Sequence, residues 1–452
     1  MKVHLRAALV CLLLGLSMGL GGAEPATPHQ MPSVVTVPKA AQPGPSFTPE
    51  AATEAYLAQI PPAALARSNA YFEGGYWLIL WDFLVGSALS LLLLNLRWSA
   101  KLRQMAERLT RFKFLQTMIY WAQYVLLTYV LSFPLTVFEG FFREHKYGLA
   151  TQTFGAWMGD EGKGILLNIL LGSLAVALLF AIVRRLPKTW WIWGAVASLA
   201  IMVFSILIGP VFLQPIFNTP KKLNNPQITA PILSLARANG IPAQDIYEID
   251  ASKQTTRMSA NVSGFASTMR ITLNDNLIKR GSPEEIQAVM GHEMGHYVLN
   301  HIPKMIEFML IVIVTMFALL RWSLTWALAR WGEKWQVTGL GDPAILPLVT
   351  LVAGLFFFVL TPVMNTFIRT HEHEADMYGV AASRQPDGFA QAALHLAEYR
   401  KMSPTPLEET LFYDHPSGRN RIYQAMQWKA ENQSLFSAPS AATATTGQSG
   451  PR

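Results

Sequence analysis

Six long apolar runs set the rhythm of this chain: Tyr76–Leu96, Phe114–Phe138, Ile165–Val183, Trp191–Leu213, Met305–Trp326 and Ile345–Ile368. Each approaches the roughly twenty residues that a helix needs to cross a bilayer. Tryptophans cluster at run ends, with Trp77, Trp81 and Trp98 around the first and Trp190, Trp191 and Trp193 opening the fourth. That placement fits the interfacial preference of Trp. Between the fourth and fifth runs the pattern changes to a polar segment of mixed periodicity, 214–304. It predicts a helix over Pro226–Asn239, strands at Asp245–Ile249 and Arg270–Leu273, and a further helix after Ser282. A second polar segment, Asp376 to about Asn432, reads as mostly helical.

The N-terminal end has its own plan. Lys2 and Arg6 precede an apolar run from Ala7 to Leu20 and then Gly21–Gly22–Ala23, which predicts a signal peptide or a retained N-terminal anchor over 1–23. Residues 24–70 read as a Pro/Ala-rich linker, disordered or extended to about Pro49, then short helices broken at Pro61–Pro62. The remaining divisions are a four-span membrane region (71–213), a small α+β unit (214–304), a two-span region (305–370), a C-terminal helical segment (371–432) and a disordered tail (433–452).

Composition sharpens this picture. Only 14% of the 452 residues are charged, against 51% hydrophobic. A soluble domain carries about a quarter charged residues, so a polytopic membrane protein is expected. The net charge of +7 comes from loop Lys and Arg, with no basic run interleaved with aromatics, and no nucleic-acid partner is expected. Arg97, Lys101, Arg103, Arg108, Arg111 and Lys113 fill the first loop; Arg184, Arg185 and Lys188 the third; Arg321, Arg330 and Lys334 lie at or beyond the end of the fifth span. By the positive-inside rule that end is cytoplasmic. The polar unit then faces the other side, the periplasmic side of a bacterial inner membrane. The one cysteine, Cys11, rules out a disulfide framework and a Cys-based metal site.

Within the polar unit stands His292–Glu293–Met294–Gly295–His296, an H-E-x-x-H pattern. On a helix the two imidazoles share a face and can hold one metal ion, with Glu293 placed to take a proton from a water. Ser282–Pro283–Glu284–Glu285 forms a capping box with Pro at the first helical position, so a helix starts upstream of the motif. A third ligand is offered by Arg369–Thr370–His371–Glu372–His373–Glu374–Ala375–Asp376. Glu372 is the first choice, because Asp376 lies four residues on and can support a ligand imidazole from behind; His373 is the second. The expected cofactor is one Zn²⁺ per chain, held by His292, His296 and Glu372.

These motifs resemble the integral-membrane zinc metallopeptidase family of the type I CAAX prenyl protease and HtpX, and are closer to the CAAX-protease branch. The resemblance runs from about Tyr76 to about Trp428 and includes Phe142–Arg143–Glu144–His145–Lys146–Tyr147–Gly148, Gln152–Thr153–Phe154–Gly155 and Pro215–Ile216–Phe217–Asn218. It implies a mainly α fold, with six or seven membrane helices around a chamber and a small α+β zinc-peptidase domain. It also implies a gluzincin-type endopeptidase with Glu293 as general base and Glu372 as third ligand. Asn261, in Ser259–Ala260–Asn261–Val262–Ser263–Gly264–Phe265, corresponds to a groove-lining Asn. His415 and Arg421, in an H-P-x-x-x-x-R segment, correspond to an oxyanion-side His and a substrate-side Arg. The expected partners are a polypeptide substrate and the lipid bilayer; the oligomeric state is open. Substrates expected are membrane or exported proteins, or CAAX-like peptides. A catalytically silent chaperone or scaffold of the same fold is the alternative, and a transporter using the chamber, with Asp82 and Glu307 as its intramembrane charges, is a third reading.

Overall fold

The computed structural model describes residues 35–264 and 269–436. The N-terminal apolar run with Cys11, Phe265 and the tail beyond residue 436 lie outside the described residues.

Helix α1 (Pro49–Leu57) opens on Thr48, whose hydroxyl accepts from the Ala51 N–H, with Pro in the first turn. Six helices among the described residues are long and apolar enough to cross a membrane. They are Pro62–Asn95, Lys113–Lys146, Phe154–Arg185, Trp190–Phe217, His301–Trp335 and Pro343–Ser383, the first to sixth spans. No more than 28% of any span's apolar window is buried, and Val130, Phe204, Ile311 and Val359 stand exposed on their outer faces. Such a surface suits lipid. The chain is a multi-span membrane protein.

The basic loops meet at one end of the bundle. Helix α2 (Trp98–Leu109) fills the first loop. Arg97 Nε donates to the Lys334 carbonyl at 3.0 Å, Arg103 pairs with Asp342, and Arg184 Nε donates to the Gly341 carbonyl at 2.9 Å. The first, third and fifth loops therefore share one end, around buried Leu93, Trp190, Trp335 and Ile345.

A mixed sheet of four strands carries the polar unit: β1 (Lys221–Lys222), β2 (Ile246–Ile249), β3 (Ala260–Ser263) and β4 (Arg270–Asn274), in the order β1-β2-β4-β3. β2 and β4 run parallel, and β3 runs antiparallel to β4 with Asn261 opposite Thr272. β3 is thus an edge strand. Helices α3 (Pro226–Ala238), α4 (Asp275–Arg280) and α5 (Pro283–Val298) pack on the sheet. Ile246, Ile271 and Leu273 meet Ile286, Met290 and Met294 of α5 in one apolar cluster. The capping box at Ser282 and Glu285 is formed in both directions.

Three expectations are revised. Residues 35–49 are not a loose linker: Val35, Ala41 and Phe47 are buried with Phe389 and Leu394. Their carbonyls are claimed by the C-terminal segment, with Gln391 donating to Val35 O at 2.5 Å and Lys429 to Ala41 O at 2.6 Å. Scattered apolar residues in a Pro-rich stretch dock without any periodicity, so pattern reading misses them. The first and third spans begin earlier than their apolar runs, at Pro62 and Phe154, because polar helical turns continue each span out of the apolar zone. The C-terminal segment does not start at the third ligand either; the sixth span continues unbroken through Glu372 to Ser383. After it come α6 (Pro386–His395), α7 (Pro406–Phe412) and α8 (Gly418–Glu431).

The segment Phe142–Gly148 ties the second span to the polar unit. Arg143 donates to the Tyr71 carbonyl at 2.5 Å, and Glu144 accepts from Tyr71 Oη at 2.6 Å while its other oxygen lies 2.8 Å from Arg257. His145 is held by two carbonyls, of Phe141 and Gln152, both at 2.8 Å.

Candidate metal centre

Two helices with almost no side chains between them bring the motif together. A Cβ on Gly291 would come within 2.7 Å of the Gly379 carbonyl, and one on Gly295 within 3.1 Å of Ala375 Cα. The glycines flanking His292 and His296 thus let α5 lie against the end of the sixth span, so that Glu372 reaches both imidazoles. His292 Nε2 lies 3.2 Å from Glu372 Oε2, His296 Nε2 lies 3.5 Å from Glu372 Oε1, and the two Nε2 atoms are 3.2 Å apart. Donor atoms of the three residues fall within 4.8 Å of one another.

The donor set fits a cation. Two imidazole nitrogens and a carboxylate oxygen converge on one point, with Glu372 Oε2 turned toward both His292 Nε2 and His415 Nε2. Burial opposes charge on both imidazoles. At His292 the carboxylates of Asp376 and Glu372 override it and lift the pKa to about 10, whereas burial and charged His292 push His296 down to about 4. Two imidazoles and a carboxylate are a set that suits zinc.

Each ligand imidazole is backed on its other nitrogen. His292 Nδ1 lies 2.7 Å from Asp376 Oδ1, and Arg421 grips that carboxylate with Nε at 2.9 Å and Nη2 at 2.5 Å. His296 Nδ1 lies 2.8 Å from His301 Nδ1, whose Nε2 is 3.1 Å from Glu374, itself paired with Lys304 at 3.0 Å. His301 was not singled out from the sequence. Its spacing from His296 is five, off the helical face, and it turns inward because Asn300 adopts a left-handed conformation with φ 57° between α5 and the fifth span.

Glu293 lines a cavity beside His292. Burial, and then the nearby Glu372 carboxylate working against positive His292 and Arg421, raises its pKa to about 7. His415 comes to the same centre, with Nε2 3.2 Å from Glu372 Oε2 and Nδ1 2.9 Å from Asp414 Oδ1. Burial works against ionisation of Asp414, but His415 and Arg400 hold its carboxyl well below the usual range.

Other residues are placed less centrally. Arg421 borders the cavity but commits its guanidinium to Asp376, so it braces a ligand from behind rather than standing free for substrate. Asn261 lies on edge strand β3 with its side-chain oxygen buried and unpartnered, while Met258, Ser259 and Ala260 line the cavity just before it. His373 Nδ1 turns to Gln424 at 3.0 Å and His371 Nδ1 to the Phe367 carbonyl at 2.8 Å. Neither joins the cluster.

Residues 222–429 match the family described as Peptidase family M48, and residues 48–219 match CAAX prenyl protease N-terminal, five membrane helices. The metalloprotease YhfN of Bacillus subtilis is 29% identical over 329 residues, 72% of this chain and 77% of its own length. CAAX prenyl protease 1 of Saccharomyces cerevisiae is 29% identical over 312 residues, 66% of this chain and 69% of its own. The crystal structure of S. mikatae Ste24p shares the fold, with a TM-score of 0.68 at 23% identity over 81% of this chain and 89% of that one.

Proposed function

This chain belongs to peptidase family M48, as a membrane metalloprotease of the CAAX prenyl protease type, and on that premise we propose that it is a zinc endopeptidase working at His292, His296 and Glu372. The observation that carries this reading is the convergence of those three donors within 4.8 Å. A zinc ion bound there supplies the Lewis acid that acidifies a water and polarises the scissile carbonyl.

The chain's own residues do the rest. Glu293, with a pKa near 7, accepts the proton of the attacking water and passes it to the leaving amine. His415, oriented by Asp414, donates toward the carbonyl oxygen as that oxygen gains charge. Asp376 with Arg421 fixes the ring of His292. An extended substrate adds to the edge of β3 by main-chain hydrogen bonds, with Asn261 beside it. Membrane or exported polypeptides, or CAAX-like peptides, are the substrates. The basic end of the bundle is cytoplasmic, which turns the metal centre toward the periplasmic side of a bacterial inner membrane.

Cleavage of casein and of a prenylated peptide by the detergent-purified protein, beside Glu293→Gln with metal content measured on both, tests the reading. Glu293→Gln is expected to keep one zinc and lose about 10²–10⁴-fold in rate. A wild type that holds zinc and cuts neither substrate would replace the enzyme with a metal-binding scaffold.

A further inference from the structure

Helix α7 (Pro406–Phe412) has 7 residues, whereas an isolated helix shorter than about 12–15 residues is marginal in water. Its first turn is closed by its own sequence, in a capping box between Thr405 and Glu408. Its last turn is closed from outside, by the sixth span. Arg369 Nη1 donates to the carbonyls of Glu409 and Tyr413, both at 2.6 Å, and Asn365 Nδ2 donates to that of Leu411 at 2.8 Å. Carbonyls at a helix C-terminus lack partners within the helix, and the helix dipole favours a cation there. Arg369 makes no ion pair among the described residues; its other nitrogen, Nη2, donates to the Thr366 hydroxyl at 3.1 Å.

The loop that leaves α7 carries His415. Glu409 closes this loop at both ends: its carbonyl accepts from the Tyr413 N–H at 3.3 Å and its carboxylate from the Ser417 N–H at 2.9 Å. Arg369 binds the first of these acceptors and also the Tyr413 carbonyl, two residues before His415. On the sixth span Arg369 lies three residues before Glu372, less than one helical turn. One helix therefore bears Glu372 and anchors the loop that brings His415 Nε2 to 3.2 Å from Glu372 Oε2. Arg400 and the Lys401 carbonyl hold the loop from its other side, through Asp414 at 3.1 Å and Tyr413 Oη at 2.9 Å. Those bonds orient the loop toward the segment after α6; the bonds from Arg369 tie it to the helix of the metal centre.

We propose that Arg369 is a positioning residue, which fixes the His415 loop to the helix of Glu372 and so sets the reach of His415 toward the scissile carbonyl oxygen. The inference rests on the protease reading above and on the role given there to His415. Removing one oxyanion-side donor costs about 10²–10³-fold in kcat, and misplacing a group by ~1 Å about 10²-fold. Loss of Arg369 therefore falls on kcat, and by no more than the loss of His415 itself. Edge strand β3 and the imidazoles of α5 make no bond to Arg369, so KM and zinc content hold.

A double-mutant cycle of Arg369→Leu and His415→Ala, on the zinc-loaded protein cutting casein or a prenylated peptide, tests this. Arg369→Leu should keep one zinc and a KM within about twofold of wild type, and lose about 10–100-fold in kcat. Arg369→Lys, which keeps one cationic donor, should recover part of that loss. In the His415→Ala background Arg369→Leu should cost less than about threefold. Hydrogen exchange on the metal-free protein gives a second readout: Arg369→Leu should speed the Tyr413 and Ser417 amides about tenfold or more and leave Pro283–Val298 as in wild type. The assignment is overturned by unchanged kcat, by an equal loss with and without His415, by loss of zinc, or by unchanged exchange at Tyr413 and Ser417. Should Arg369→Leu not fold, Arg369→Lys enters the same cycle and the same readings decide. If His415→Ala keeps the wild-type kcat, the role of His415 fails and takes this assignment with it. A wild type that cuts neither substrate fails the protease reading first, with the same result here.

Discussion

Gly379 lies so close to His292 that a Cβ on it would stand 2.5 Å from the His292 backbone nitrogen. Glu372 and His292 are set in register by this contact between two backbones. Gly379→Ala must push the sixth span away from α5, at a cost of about 1–3 kcal/mol for overpacking. We expect a lower melting temperature together with loss of zinc on dialysis against a weak chelator. Unchanged zinc retention would mean that the helices relax without moving Glu372.

His301 holds the second nitrogen of His296 at 2.8 Å. Removing such a partner typically weakens metal affinity about 10–100-fold. His301→Leu should show that loss in chelator competition, whereas His301→Asn, which keeps an acceptor near the Nδ1 position, should recover most of it. The d–d spectrum of the cobalt-loaded protein should shift for Leu and return toward wild type for Asn.

Asp275, at the start of α4, contributes to acid stability. Burial raises its pKa, but Lys279 at 2.7 Å and the backbone amide of Ser252 at 2.9 Å outweigh it and bring the value down to about 2. The folded pKa lies below the ordinary 3.8, so the ionised group adds stability above that value and loses it as the pH falls toward 2. Asp275→Asn should therefore be less stable than wild type at pH 7, by about 1–3 kcal/mol. The gap should narrow between pH 4 and pH 2, measured by thermal unfolding in detergent.

Topology can be read with single cysteines in a background with Cys11 replaced. Positions Lys101 and Lys188 in the basic loops should react with a membrane-impermeant maleimide only in opened cells or inverted vesicles. Lys221 and Lys279, in the polar unit, should react in intact spheroplasts. The opposite pattern would place the metal centre in the cytoplasm while leaving the fold as described.

The spans and the members of the His/Glu cluster were legible because each rests on a local pattern: a run of apolar residues, two His at i and i+4, a carboxylate with Asp376 one turn on. What stayed hidden depends on contacts distant in sequence. His301 needs the left-handed Asn300 to face His296, and the docking of Val35–Phe47 needs Gln391 and Lys429, more than three hundred residues away. The glycines of Met290–Gly291–His292 and Met294–Gly295–His296 were visible, but their use, as the seat for Ala375 and Gly379, appears only once the two helices are packed. The family match covers the membrane region and the polar unit.

The sixth span runs without a break from Pro343 at the basic end, through the apolar zone, to Ser383 beyond Glu372. At about 1.5 Å per residue, Glu372 sits about 43 Å along this rod from its start. One degree of tilt at the far end moves the carboxylate by about 0.8 Å, several times the ~0.2 Å tolerance of a metal–ligand distance. Packing against neighbouring helices holds that tilt and hydrophobic mismatch works against it, so bilayer thickness acts on the alignment of the centre through this span. Comparing zinc retention and turnover in short-chain and long-chain lipid bilayers measures that lever directly.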